Sequence, residues 1–518
     1  MSETSFAPLT PLRFLQRSGS VWSDRIATSY NNEERTYADL LDRSERVSAA
    51  LRARSVNPGD RVAVLLPNLP EFLELHFAIP GCGAVLVPLN TRLSFPEYQY
   101  IFDHASVSLI ITSPSLLEAA SVAASTSQTK PEIVVVGRDS PYEEMAAYRE
   151  RLPAIVPDEN SVFSITYTSG TTGRPKGVVY SHRGCYLHAL GVVAESRLDA
   201  SSTYLWTLPM FHCHGWAYPW AVTAVGARHA CLDGVDPAAI WRLLANGGVT
   251  HMCAAPTVLT MLLEAREATN LGRPVSVFVG GAPPTPALLE RARRIGFRIT
   301  HLYGLTETYG PFVVCAWKPE WEDLPPADQA ALQGRQGVAT IVSTPLRVVD
   351  SEMRDVPADG QTMGEIVMQG NNVMIGYYRD PEATREAFRG GWFHSGDLAV
   401  MHPDGYVQLR DRLKDIVISG GENISTVEVE GVLASHPDVI EAAVIGVPND
   451  YWGEVMKAYV VRRPGSRLTD GELRDFARQR LARYKAPKVV EFVDSLPKTA
   501  TGKIQKFVLR AANASAPA

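Results

Sequence analysis

Short apolar runs alternate with amphipathic stretches along most of the chain. The runs have the length of buried strands, and apolar residues in the stretches between them recur with helical spacing. Strand–helix–strand order predicts a parallel or mixed sheet with helices on its faces. The predicted strands of this part are 61–66, 84–89, 109–112, 133–136, 161–167, 203–208, 250–254 and 275–279, and the predicted helices are 36–53, 72–78 and 240–244.

The pattern changes in the last third of the chain. Residues 318–337 are polar and are predicted to be a surface excursion, whereas strand patterns dominate 346–409. A charged segment at 411–415 then begins a smaller unit, with helices at 426–434 and 470–481 and strands at 440–445 and 455–461. We therefore predict an α/β fold with two domains. Residues 1–410 form a large multi-subdomain part with mixed sheets flanked by helices, and 411–518 form a small mobile α+β domain.

Composition narrows the class of protein. The chain has 518 residues, 45% hydrophobic and 20% charged, which is typical of a globular protein with more than one core. A net charge of −6 argues against a general nucleic-acid or anionic-membrane partner, and no apolar run has membrane-spanning length. The six cysteines have no paired spacing, and the N-terminus is polar. These features predict a cytoplasmic protein without a disulfide framework or a zinc site.

One segment does not suit a packed core. Ser169–Val178 contains three glycines, three hydroxyl side chains and the cations Arg174 and Lys176, between two apolar runs. Glycines let backbone N–H groups turn toward a ligand, hydroxyls donate hydrogen bonds, and the cations supply charge, so the mixture suits a polyphosphate. The spacing differs from the common phosphate loop, because Gly177 follows Lys176 and Pro175 prevents an immediate helix. The alternative is a flexible surface loop.

Five motifs in a fixed order resemble those of the adenylate-forming superfamily, which contains acyl-CoA synthetases, nonribosomal-peptide adenylation domains and beetle luciferases. The resemblance covers about residues 20 to 506. The motifs are Tyr167–Val178, Tyr303–Thr308, Gly391–Leu398, Asp411–Glu430 and Pro497–Lys506.

The resemblance implies a reaction in two halves. A carboxylate attacks the α-phosphorus of ATP to give an acyl-adenylate and pyrophosphate, and the thiol of coenzyme A then gives the thioester and AMP. It also implies that Glu307 is a ligand of Mg²⁺, that Thr306 donates to the α-phosphate, that Tyr303 stacks on adenine beside Gly304, and that Asp397 and Arg412 contact the ribose or phosphate. The phosphate contacts would come from Thr168, Ser169, Gly170, Thr171, Thr172, Gly173 and Lys176.

The resemblance assigns three further roles in the C-terminal domain. Lys503 would stabilise the adenylation transition state, although a lysine in this context is by itself typical of a solvated surface. Lys414 matches the hinge position about which the small domain turns between the two half-reactions. Ser419, Gly420 and Gly421 would border the tunnel for the pantetheine arm of CoA; a plain β-turn is equally compatible with these residues.

The acyl group is less clearly encoded. His212 and Trp216 match positions that line the acyl site, and the absence of aspartate from 211–220 disfavours an amino-acid substrate. Gly280, Gly281 and Ala282 are small and would leave room for an acyl chain or ring. We predict an AMP-forming acyl-CoA synthetase for a hydrophobic acid that is medium-chain, branched or bulky, and a homodimer is possible. An aryl-CoA ligase, an acyl-AMP ligase that loads a carrier protein, and a noncatalytic nucleotide-binding regulator are the alternatives.

The hinge assignment gives a direct prediction. Replacing Lys414 by proline should spare adenylate formation and stop thioester formation, because proline restricts the backbone rotation that the second half-reaction needs. Pyrophosphate exchange measures the first half, and thioester release from preformed adenylate measures the second. An equal loss of both halves would show that the hinge lies elsewhere.

Overall fold

The structure is a computed structural model that describes most of the chain. The described residues are 7–154, 158–168, 175–281, 284, 286–412, 415–419, 422–449, 451–499 and 504–514. Within this part, no helix is long and apolar enough to cross a membrane.

Strands occur throughout the chain and are numbered in chain order. They are β1 (Ile26–Tyr30), β2 (Glu33–Thr36), β3 (Arg61–Leu65), β4 (Val85–Pro88), β5 (Val107–Thr112), β6 (Glu132–Val135), β7 (Val162–Tyr167), β8 (Gly177–Ser181), β9 (Thr203–Leu205), β10 (Arg228–Ala230), β11 (His251–Ala254), β12 (Val275–Val279), β13 (Phe297–Leu305), β14 (Gly310–Val314), β15 (Val338–Ala339), β16 (Arg347–Val349), β17 (Met363–Met368), β18 (Gly376–Tyr377), β19 (Phe393–Met401), β20 (Val407–Arg412), β21 (Val417–Ser419), β22 (Glu422–Ile424), β23 (Val439–Asn449), β24 (Gly453–Arg462) and β25 (Val489–Phe492).

Helices separate most of these strands. They are α1 (Leu12–Val21), α2 (Tyr37–Ala53), α3 (Pro70–Gly81), α4 (Phe95–Ala105), α5 (Leu117–Thr126), α6 (Pro141–Ala146), α7 (His182–Ser196), α8 (Cys213–Trp216), α9 (Tyr218–Ala224), α10 (Pro237–Asn246), α11 (Pro256–Glu264), α12 (Pro286–Arg294), α13 (Pro326–Gln333), α14 (Pro381–Ala387), α15 (Thr426–Ala434), α16 (Asp470–Arg478) and α17 (Lys506–Ala514).

Two large sheets organise the N-terminal part. The first, called the nine-stranded sheet, has the order β15-β14-β13-β12-β11-β9-β10-β1-β2, and the second has the order β18-β8-β7-β4-β3-β5-β6. Neighbours from β9 to β13 pair in parallel, so the carboxyl ends of these strands share one edge. Ligands of such sheets bind outside that edge.

Two smaller sheets complete the fold. Strands β16, β17, β19 and β20 form an antiparallel sheet that ends at Arg412. The C-terminal sheet has the order β22-β21-β24-β23, with β25 beside β24, and α15, α16 and α17 pack against it around a separate core.

The predicted fold class, with a large α/β part and a small C-terminal domain, is confirmed. Helix α15 has the bounds of the helix predicted at 426–434, and β12 has those of the strand predicted at 275–279. The segment 318–337, predicted as a surface excursion, contains α13 and a short turn at Pro319–Asp323; most of its residues are exposed or half-buried, while Trp321 of the turn and Ala330 of α13 are buried. Its few apolar residues are separated by prolines and charges, which hides the helical spacing.

Candidate active site

The Gly-rich segment connects two paired strands. Strands β7 and β8 are antiparallel, with Tyr167 opposite Gly177. Just beyond this pair, the Thr168 N–H donates to the Lys176 carbonyl at 3.0 Å. The ends of the segment are therefore fixed by the sheet, while Ser169, Gly170, Thr171, Thr172 and Gly173 lie outside the described residues. The ammonium of Lys176 stands 4.7 Å from the ring centre of Tyr377.

Glu307 lies in the short turn between β13 and β14, held by a neighbouring segment. The Met374 N–H donates to its carbonyl at 2.7 Å, and the Tyr377 hydroxyl donates to its carboxylate Oε1 at 2.9 Å. Loss of hydration raises the pKa of Glu307, and the hydroxyl of Tyr377 partly offsets this by stabilising the charged form. Tyr377 thus contacts both a candidate phosphate-binding lysine and a candidate metal ligand.

Asp397 of β19, in the four-stranded antiparallel sheet, is held from two sides. The Tyr303 hydroxyl donates to Asp397 Oδ2 at 2.7 Å, and Arg412 Nε lies 3.2 Å from Oδ1. Asp397 and Arg412 are cross-strand partners of β19 and β20, which explains the ion pair. Burial raises the pKa of Tyr303, so its phenol remains a donor. Three residues that the sequence assigns to the nucleotide, Tyr303, Asp397 and Arg412, therefore stand together.

The segment after His212 has an unusual backbone. Cys213, His214, Gly215, Trp216 and Ala217 all have positive φ, between 45° and 65°. A left-handed conformation costs about 1–2 kcal/mol for each residue other than glycine. Packing compensates for this cost.

Two contacts fix this left-handed turn in place. A Cβ at Gly215 would lie 2.6 Å from the Trp206 ring, and the Cys213 thiol donates to Thr306 Oγ1 at 3.5 Å. The candidate acyl residues His212 and Trp216 are thereby placed beside the turn that carries Glu307.

Trp216 lies against Gly280, which is predicted to border the acyl site, and against Gly310. A Cβ at Gly280 would meet the Trp216 indole at 2.7 Å, and one at Gly310 would meet it at 3.0 Å. A Cβ at Gly304 would stand 1.8 Å from the Gly310 carbonyl oxygen, so Gly304 makes room for the backbone of β14. Gly281 faces open space, and Ala282 lies outside the described residues.

Two tyrosines that the sequence analysis did not assign to the site hold it together. The Tyr180 hydroxyl donates to the Thr306 carbonyl at 2.5 Å, and the Ser181 N–H donates to the Tyr309 hydroxyl at 2.8 Å. The two rings stack with centres 3.9 Å apart. This pair ties β8, next to the Gly-rich segment, to the turn of Glu307. These hydrogen bonds could not be predicted from neighbouring residues, because the partners are more than 100 residues apart in the sequence.

The C-terminal residues are only partly described. Ser419 pairs with Gly453 between β21 and β24. Lys498 and Ile504 form a β-bridge that flanks the predicted catalytic lysine. Lys503 itself, the hinge residue Lys414, and Gly420 and Gly421 lie outside the described residues. Their assigned roles therefore stay predictions.

The donor set fits a magnesium–nucleotide complex. Glu307 supplies a hard carboxylate oxygen in a partly accessible position, as Mg²⁺ prefers in sites completed by substrate phosphates and water. Its raised pKa reflects a partly desolvated charge that a cation would stabilise. The ammonium of Lys176 lies against the ring of the same Tyr377, and it would offset phosphate charge.

Comparisons with known proteins agree with this geometry. Residues 15–378 match the family model of the AMP-binding enzymes, and 428–503 match that of the AMP-binding enzyme C-terminal domain. The chain is 44% identical to 4-hydroxybutyrate–CoA ligase 2 of Metallosphaera sedula, over 98% of this chain and 94% of that protein. It is 42% identical to a peroxisomal acetate/butyrate–CoA ligase of Arabidopsis thaliana and 41% identical to a 2-methylpropanoate–CoA ligase of Humulus lupulus, in each case over 98% of this chain and 95% of the relative.

Solved structures extend the likeness. The ATP-bound MatB of Rhodopseudomonas palustris has a TM-score of 0.87 and 30% identity, over 97% of this chain and 99% of that one. An anthranilate CoA ligase in complex with anthranoyl-AMP has a TM-score of 0.88 and 27% identity, over 98% of each chain. The protein therefore belongs to the AMP-binding enzyme family and is an acid–thiol ligase that uses ATP and CoA.

Proposed function

We propose that this ligase activates a short aliphatic acid, linear or branched. The observation that carries the proposal is the position of Trp216, whose indole occupies the space beside Gly280 and Gly310. The space left by the missing side chains of these glycines is taken by the indole of Trp216. Less room therefore remains there for a long acyl chain or a ring system. This departs from the sequence prediction of a medium-chain, branched or bulky acid, of which only the branched class is kept.

The substrates for which the relatives are named support the same size class. These relatives are named for 4-hydroxybutyrate, acetate or butyrate, and 2-methylpropanoate, all small aliphatic acids. An aromatic acid is the second candidate, since one solved neighbour holds anthranoyl-AMP. Trp216 favours the aliphatic class, because an aromatic ring needs width where the indole lies.

The residues suggest how the first half-reaction is assisted. Lys176 would offset charge on the leaving pyrophosphate, and Thr306 would donate to the α-phosphate as the carboxylate attacks. A magnesium ion, when bound with the nucleotide, supplies further charge neutralisation. Glu307 would hold that ion, and the Tyr377 hydroxyl fixes the orientation of the Glu307 carboxylate.

The nucleoside part of ATP would be held by other residues than those at the reacting phosphate. Asp397 only accepts hydrogen bonds, which suits two ribose hydroxyls, and Arg412 holds it in place from the adjacent strand. For the second half-reaction, we propose that the small domain turns about Lys414 so that Lys503 leaves and the CoA thiol arrives beside Ser419.

A panel of acids tests the substrate proposal. We expect the highest kcat/KM for acetate, butyrate or 2-methylpropanoate, with lower values for octanoate and benzoate, measured as CoA-dependent release of AMP. A preference for benzoate or octanoate over every short acid would contradict the proposal.

Trp216 gives a sharper version of that test. Replacing Trp216 by alanine should raise the ratio of kcat/KM for octanoate to that for butyrate by about tenfold or more, because space for several methylene groups opens. Trp321→Ala is the matched control: it removes a buried tryptophan far along the chain from this turn, and the ratio should stay unchanged. An equal ratio in both variants would show that Trp216 does not limit the acyl site.

Substitutions of Tyr377 can test its contact with Glu307 separately from its contact with Lys176. Tyr377→Phe keeps the ring beside Lys176 and removes the hydroxyl that donates to Glu307, so the Mg²⁺ concentration for half-maximal activity should rise by about tenfold. Tyr377→Leu removes both contacts and should also raise KM for ATP.

The neighbouring Tyr378→Phe serves as the control for these variants. Its ring packs against His104 and Arg379 instead, so neither constant should change. Wild-type magnesium dependence in Tyr377→Phe would mean that the hydroxyl contact has no role in binding the metal.

A further inference from the structure

Cys213 lies against the residue that is assigned to the α-phosphate. It is the first residue of the left-handed turn, with a φ of 47°, and it is 3% exposed. Its thiol contacts Thr306 Oγ1 at 3.5 Å, and Thr306 itself is half-buried. A strained backbone that its surroundings maintain is a common feature of functional sites.

The thiol of Cys213 stays protonated over the whole neutral pH range. Burial raises the pKa of this thiol to about 12; the hydrogen bond with Thr306 lowers that pKa and the charge of Glu307 raises it, both by less than burial does. A protonated thiol has one proton to donate, and its sulfur is a weak acceptor. The Cys213 thiol is therefore a donor to the Thr306 hydroxyl.

The backbone of Thr306 is already fixed. The Tyr180 hydroxyl and the Tyr309 N–H both donate to the Thr306 carbonyl, at 2.5 Å and 3.1 Å. The proton of the side-chain hydroxyl can still rotate, because a hydroxyl has one proton and two lone pairs. A donor at one lone pair leaves that proton for another acceptor, and the assigned role of Thr306 supplies a phosphate oxygen.

We propose that Cys213 is a positioning residue for adenylate formation, and that its thiol holds the Thr306 hydroxyl with its proton directed to the α-phosphate of ATP. One hydrogen bond then runs from the thiol to the hydroxyl and the next from the hydroxyl to the phosphate oxygen, so each strengthens the other. The inference rests on the proposed function, since Cys213 acts through Thr306.

A double-mutant cycle in the full-length protein tests this proposal. ATP–pyrophosphate exchange is measured for the wild type, Cys213→Ala, Thr306→Val and the double variant, with the acid that the panel shows to be best. Thr306→Val should lower kcat by about tenfold or more, because the phosphate loses a donor. Cys213→Ala should lower kcat by about threefold, since S–H is a weak donor, and it should have no further effect in the Thr306→Val protein.

A second readout distinguishes this role from a structural one. A loosened turn would displace His212 and Trp216, and the ratio of kcat/KM for octanoate to that for butyrate would then change. We expect Cys213→Ala to leave this ratio at the wild-type value. If Cys213→Ala does not fold, Cys213→Ser replaces it in the same cycle, and its effect on kcat should be present only with the Thr306 hydroxyl.

Cys315 provides a matched control. It is also buried, burial raises the pKa of its thiol to about 12, and this thiol donates to the Leu332 carbonyl at 3.4 Å. Cys315→Ala removes the same chemical group without touching Thr306, so the exchange rate should stay unchanged.

The outcomes separate this inference from the proposed function. An equal fall of kcat on Cys213→Ala with and without the Thr306 hydroxyl, a changed octanoate-to-butyrate ratio, or no fall at all would overturn the role of Cys213 and leave that of Thr306. Wild-type exchange in Thr306→Val would overturn the role of Thr306 in the proposed function, and this inference with it.

Discussion

The contact between the Tyr377 hydroxyl and the Glu307 carboxylate is the interaction on which the site depends. A partly desolvated carboxylate is stable only with donors or a cation nearby, and here the donor comes from a strand 70 residues further along the chain. Strand β18, which carries Tyr377, pairs with β8 at the end of the Gly-rich segment. The same side chain therefore contacts both Lys176, at the end of the candidate phosphate-binding segment, and Glu307, the candidate metal ligand.

The surrounding structure reinforces that geometry. Tyr180 fixes the Thr306 carbonyl from β8, and Met374 fixes the Glu307 carbonyl, so two successive carbonyls of this turn are held by hydrogen bonds. The left-handed turn at 213–217 adds a strained segment that contacts Thr306 through Cys213. Strain of this kind persists where the surroundings determine it fully, and here it holds the Trp216 indole against Gly280 and Gly310.

Several candidate site residues could be predicted from the sequence, because they lie in short motifs of neighbouring residues. Lys176, Glu307 and Asp397 stand in short motifs whose residue types already suit phosphate, metal and ribose. Tyr377 and Tyr180 have no such local signal, because their contacts depend on strands that meet only in the fold. The backbone at 213–217 could not be predicted either, since positive φ at cysteine, histidine, tryptophan and alanine opposes their intrinsic preference.

The most direct measurement is the binding of Mn²⁺, as a spin-active substitute for Mg²⁺, to the protein with ATP. Electron paramagnetic resonance counts free and bound Mn²⁺ in the wild type and in Glu307→Gln, which keeps an acceptor for Tyr377 and removes the charge. The account predicts saturable binding by the wild type and an affinity at least about tenfold weaker in the variant. Coincident titrations of the two proteins would contradict the central claim that Glu307 holds the metal of the nucleotide.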